Sequence, residues 1–144
     1  MAADCVLCRE AGGVPVWQGA QLRVIRAQEE GFPAFYRVVW TAHAAELSDL
    51  SEAERYTCMA VVVEVERVLR AQLLPTKINL AALGNMVPHL HWHVIARYDW
   101  DSHFPAAIWA SPLRPRALER EAQLQQKLAA CDAAIAQALA RWVS

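Results

Sequence analysis

Three histidines stand at alternate positions in His89-Leu90-His91-Trp92-His93-Val94-Ile95, out of five in the whole chain. Imidazole titrates near neutrality, attacks electrophiles through a free ring nitrogen, and ligates metals. Side chains on a strand alternate faces. An extended backbone would therefore set these imidazoles on one face and turn Leu90, Trp92 and Val94 toward a core. Two chemistries follow from the residue types. One is a metal site, since histidines two apart on a strand can share a zinc ion. The other is nucleophilic catalysis by one imidazole held in a fixed tautomer by its neighbours. A second reactive group is Cys5-Val6-Leu7-Cys8, whose Cys-x2-Cys spacing suits a metal or a redox pair. Cys58 and Cys131 fall on apolar helical stripes and read as small core residues.

Several elements must position these groups. Short strand signals run over Val14–Gln18, Leu22–Arg26 and Phe35–Trp40, with Glu29-Glu30-Gly31-Phe32-Pro33 as a turn or loop. Ser51-Glu52-Ala53-Glu54 is a capping box. Behind it Cys58, Val61, Val62, Val65, Val68 and Leu69 recur at helical spacing, and Pro75 closes the helix. Lys77–Leu83 reads as a strand, and Gly84 to Pro88 as a tight connection into the histidine strand. Asp99 to Pro115 reads as a loop. One long helix then runs to about Trp142, with Leu124, Leu128, Cys131, Ile135, Leu139 and Trp142 on its apolar stripe. That stripe packs on its own sheet or on a second copy of the chain.

With 144 residues, 56% of them hydrophobic, the chain is long enough for one domain with a sizeable core. Its 14 basic and 15 acidic residues give a net charge of -1. The basic residues form no stripe of the kind nucleic-acid binding needs. No apolar run is long enough to span a membrane, and the first residues lack a secretory signal. A cytoplasmic protein with no membrane partner is expected.

The histidine segment resembles the His-φ-His-φ-His-φ-φ signature of the histidine triad family of nucleotide hydrolases and transferases. Lys77 to Pro88, Asp101-Ser102-His103-Phe104-Pro105 and Ile108-Trp109 are similar to its bacterial diadenosine tetraphosphate hydrolase-like branch. The likeness runs from Cys5 to about Trp109. It implies an α+β fold with a five-stranded antiparallel sheet and a packed helix, forming a homodimer with a continuous sheet. On that basis residues 1–115 make the histidine triad domain, and 116–144 an extra C-terminal helix on the same domain or dimer.

The resemblance also implies roles. His91 would attack the α-phosphorus of an adenine nucleotide, with a dinucleoside polyphosphate as the expected substrate, and water would then hydrolyse the nucleotidyl-histidine. The His89 carbonyl would orient His91, His93 would contact phosphate oxygens, and Asn79 and Asn85 would contact ribose or phosphate. Asn79 also suits a strand-end residue satisfying local backbone, and backbone N–H groups of Gly84 to Val87 could form an anion nest. Gln28 and Glu29 are weaker candidates for the ribose, while His103 reads as a surface residue in an aromatic loop. Two positions depart from the family pattern: Met86 stands where many members carry a hydroxyl, and Phe35 where many carry a further histidine.

Zinc-binding members of the family combine a cysteine pair with two histidines, which here are Cys5, Cys8, His43 and His89. Two thiolates and two imidazoles close a tetrahedron, so that zinc would be structural, and catalysis would need no cofactor. Two other functions stay open on the sequence: a metal-dependent hydrolase with zinc on the three triad histidines, and a non-enzymatic nucleotide-binding dimer.

Overall fold

The computed structural model describes residues 4–142. Its elements run β1 (Val14–Gln18), β2 (Leu22–Arg26), β3 (Phe35–Trp40), α2 (Glu52–Leu73), β4 (Lys77–Ala81), β5 (His91–Arg97), α3 (Leu118–Gln125) and α4 (Leu128–Ala138), with a short α1 (Val6–Arg9) before them. All neighbouring strands are antiparallel, in the order β1-β2-β3-β5-β4. This is the expected α+β architecture. The first three strands keep the bounds their sequence predicts.

Alternation divides the sheet into two faces. On one, Val24, Tyr36, Val38, Val94, Ala96 and Ile78 are buried beneath α2, whose Cys58, Val61, Val62, Val65, Leu69 and Leu73 supply the facing layer. Each aliphatic side chain removed from water there stabilises the fold by about 1.5–3 kcal/mol. Ser51 caps α2 by accepting from the Glu54 amide, and Glu54 accepts from the Ser51 amide in return. Helix α4 lies beside α2 and against β1. It is fastened by Asp132, which accepts from Tyr36 Oη at 2.6 Å and pairs with Arg26 at 3.1 Å.

The other face carries His91, His93 and Arg97 of β5, Phe35, Arg37 and Val39 of β3, and Asn79 of β4, as the strand register requires. Two small apolar clusters cover it. Cys5, Leu7, Ile25 and Val39 close one end, and Ala27, Phe32, Phe35 and Ile95 the other. The histidines lie in the gap between them.

Three expectations change. The single C-terminal helix is two: the chain tightens at Gln126–Lys127, where the Lys127 amide donates to Leu124 three residues back rather than four. That step keeps both Leu124 and Leu128 buried. After Ala138 a 3-10 turn, Ala140–Trp142, replaces the last helical turn. Strand β4 stops at Ala81, leaving Ala82 and Leu83 in the connection. Strand β5 begins at His91, so His89 precedes it.

Candidate functional site

Histidine 91 opens β5 with its Nδ1 donating to the His89 carbonyl at 2.5 Å. That bond fixes the tautomer and leaves Nε2 unprotonated in the neutral ring, the form a nucleophile needs. Two residues on, His93 packs edge-to-face on His91 at 5.0 Å and on Phe35 at 5.2 Å. Trp109 closes over it at 5.3 Å. The Nδ1 of His93 is buried with no hydrogen-bond partner among the described residues. Burial holds both imidazoles below their usual pKa, with the Arg37 charge adding to the effect, and His93 falls to about 4. Both rings are neutral at pH 7.

Between the covering clusters lies a pocket of about 750 Å³, within the range of small-molecule sites. His91, His93, Arg37 and Trp109 line its floor and one side; Gly84, Asn85, Met86 and Val87 form the rim. The far wall comes from the N-terminal segment, through Val6, Leu7, Glu10, Gly12 and Gly13. Arg23 clasps that segment to the sheet, donating to the carbonyls of Leu7, Glu10 and Ala11 at 2.8, 3.0 and 3.3 Å. Gly13 permits the close approach, since a Cβ there would stand 2.6 Å from the Arg26 carbonyl oxygen.

The loop that leads to Trp109 is anchored at Asp101 and Ala106. Arg97, 1% exposed, pairs with Asp101 at 2.8 Å and donates to the Ala106 carbonyl and to Asn79 Oδ1. Burial alone would raise the Asp101 pKa, but Arg97 and the His103 and Phe104 amides outweigh it and hold the carboxyl below its usual value. Arg114 ties the same loop down through the carbonyls of Asp101 and Phe104.

The thiols and the remaining histidines form a second centre. Ligand atoms of Cys5, Cys8, His43 and His89 all lie within 4.8 Å of one another. His89 Nδ1 lies 3.4 Å from Cys5 Sγ and 3.5 Å from Cys8 Sγ, His43 Nδ1 lies 3.4 Å from Cys8 Sγ, and the two Nδ1 atoms are 3.2 Å apart. A zinc tetrahedron with Zn–S of about 2.3 Å and Zn–N of about 2.05 Å has edges of about 3.6 and 3.3 Å, so this donor set fits the ion. His89 Nε2 donates to the Trp40 carbonyl at 2.5 Å, which turns Nδ1 toward the thiols. The sequence expected three imidazoles on one face; the bend at His89 sends one to the cysteines and two to the pocket. Among the described residues, His91 and His93 belong to no metal-holding group.

Of the other candidates, Asn85 lies exposed on the rim and Asn79 sits on the histidine face with its Oδ1 committed to Arg97. Gln28 and Glu29 border a different cleft, beside Glu30 and Arg116. His103 packs on Phe32 and bonds to Ser102 Oγ at 2.8 Å, outside the pocket. Arg37 and Glu10 are lining residues that the sequence does not single out. A charged residue amid the apolar strand Phe35–Trp40 was the available signal for Arg37; Glu10 carried none.

The HIT domain profile matches residues 15–100, which take in β2 to β5, all of β1 but Val14, and both histidines of the pocket. The chain belongs to the histidine triad, or HIT, family. An AP-4-A phosphorylase from Mycobacterium tuberculosis (strain CDC 1551 / Oshkosh) is 30% identical over 92 residues, 60% of this HIT protein and 47% of the relative. The chain thus spans about half the length of the curated relatives it matches. A histidine triad protein from Bradyrhizobium japonicum is 27% identical with a TM-score of 0.65, over 93% of this chain and 92% of its own. A Zn-bound histidine triad family protein from Mycobacterium smegmatis shares the HIT fold at 21% identity and TM-score 0.61, over 91% and 97%.

Proposed function

We propose that this HIT protein transfers a nucleotidyl group from a dinucleoside polyphosphate to water through a covalent adduct on His91. The observation that carries the reading is the His91 Nδ1–His89 carbonyl bond, which aims a neutral, unprotonated Nε2 into the pocket. In the first step Nε2 forms a bond to the α-phosphorus, and the bond from that phosphorus to the bridging oxygen breaks, releasing the remaining polyphosphate with the electron pair. In the second, water attacks the adduct, the N–P bond breaks, and the nucleoside monophosphate leaves with the water's oxygen; one water proton is lost to solvent. His93 would contact the phosphate oxygens, and Asn79 and Asn85 the ribose or phosphate. The likeness to an AP-4-A phosphorylase supports this substrate class.

Met86, 93% exposed, and Phe35 bring no proton donor to the leaving group. A polyphosphate leaves as a stable anion without one, whereas an amine does not, so the pocket favours polyphosphate over phosphoramidate substrates. His91→Ala should reduce diadenosine tetraphosphate hydrolysis at least about 10³-fold with binding retained. Wild-type rates in that variant would refute the mechanism.

The second centre we assign to structural zinc, held by Cys5, Cys8, His43 and His89; the Zn-bound relative and the tetrahedral spacing support this. It would supply a crosslink between the N-terminal wall and the approach to β5, and no chemistry. A catalytic metal on the triad is disfavoured, because His89 Nδ1 faces the thiols and His91 Nδ1 faces a carbonyl. Among the described residues nothing pairs with the outer edge of β4, which supports a two-fold dimer with a continuous sheet. Sedimentation should then report twice the 16.1 kDa chain mass; a monomer at micromolar concentration would exclude the dimer.

A further inference from the structure

Arg37 is the one permanent cation among the residues lining the histidine pocket. It stands in the middle of β3, opposite His93 in register, with buried Phe35 and Val39 as its neighbours on the same face. Burial lowers its pKa, opposed only by the Glu29 charge. Its Nε is buried with no hydrogen-bond partner, and it has no ion pair among the described residues. The guanidinium rests 5.1 Å over the Phe35 ring. Other arginines on the sheet are engaged: Arg26 by Asp132, Arg97 by Asp101 and Asn79, and Arg23 by three backbone carbonyls. A half-desolvated guanidinium with free donors at the edge of a pocket is costly unless a ligand supplies the missing acceptors.

The pocket's other groups make that ligand an anion. Met86 offers no donor, and the other permanently charged lining residue is Glu10, a carboxylate. A phosphate entering this space would meet no permanent positive charge except Arg37, whose planar fork matches two phosphate oxygens at once. We propose that Arg37 is the phosphate-binding cation of the pocket, acting beside His93 and standing in for the hydroxyl and the fourth histidine that the sequence lacks. The proposal rests on the nucleotide reading above only for what carries the phosphate.

The test is calorimetric titration of the full chain with AMP, adenosine and inorganic pyrophosphate, for the wild type, Arg37→Met and Arg37→Lys. The wild type should bind AMP more tightly than adenosine. Arg37→Met should weaken AMP and pyrophosphate about 10- to 100-fold and leave adenosine unchanged, with Arg37→Lys intermediate because a point charge lacks the fork. Thermal unfolding of Arg37→Met should occur at or above the wild-type temperature, since the substitution removes an uncompensated charge. If that variant fails to fold, Arg37→Gln is read in the same way. AMP and pyrophosphate affinities within twofold of wild type would overturn the proposal. So would a matching loss of adenosine binding, the mark of a collapsed pocket. Arg37-dependent binding of pyrophosphate with no binding of AMP would sustain Arg37 and overturn the nucleotide reading. A wild type that binds none of the three would overturn both.

Discussion

His91 and His93 share a pocket, yet their ring nitrogens are treated differently. His91 has a carbonyl for its Nδ1, whereas His93 has aromatic rings on two sides and a buried Nδ1 with no partner among the described residues. A proton on His93 therefore costs far more in the folded chain than in the unfolded one. With a folded pKa of about 4 against an ordinary 6.5, the unfolded state binds more protons between those values. Stability from this group is complete above pH 6.5 and declines as pH falls toward 4. At pH 5 the loss is about 2 kcal/mol. Thermal melts from pH 7.5 to 4.5 should show it, and His93→Gln should flatten that slope; an unchanged slope would mean that His93 is not the group responsible. The triad itself was legible because three histidines at strand spacing have no other economical explanation. Arg37 was not, since one charge in a strand becomes conspicuous only when the neighbouring strand and the absence of a partner are both known.

Strands β1 to β3 and helix α2 were readable because each carries its own boundary signal, such as the Ser51–Glu54 capping box. The C-terminal segment misled for the opposite reason. Its stripe from Leu124 to Leu139 suits an unbroken helix, and the tight step at Lys127 preserves that stripe while changing the hydrogen bonding. No single residue type announces such a step. The fastening of α4 to the sheet was equally hidden, since Asp132 meets Tyr36 and Arg26 across about a hundred residues of chain. Asp132→Ala would strand a fully buried tyrosine hydroxyl and a mostly buried guanidinium. It should lower unfolding free energy by about 3–5 kcal/mol in urea titration. A change below about 1 kcal/mol would mean that α4 is held by its apolar stripe alone.

At the scale of the molecule, the sheet's two faces divide the work: one holds the apolar core under α2 and α4, the other holds the histidine pocket. The Cys5–Cys8–His43–His89 centre joins the N-terminal wall of that pocket to the start of the histidine strand. Mass spectrometry under native conditions should find one zinc per chain. Cys8→Ser or a strong chelator should release it and lower the melting temperature by several degrees, as expected for a crosslinking metal. A chain with no zinc and an unaltered melt in Cys8→Ser would remove the metal from the account. In all of this, His91 as a covalent nucleophile is the central claim. It is tested most directly by mixing the protein with diadenosine tetraphosphate labelled at the α-phosphorus and quenching in alkali, where phosphohistidine linkages survive. The account predicts label on the wild-type chain, mapped to His91 and absent from His91→Ala. Unlabelled wild-type protein during active turnover, or label that persists in His91→Ala, would contradict it.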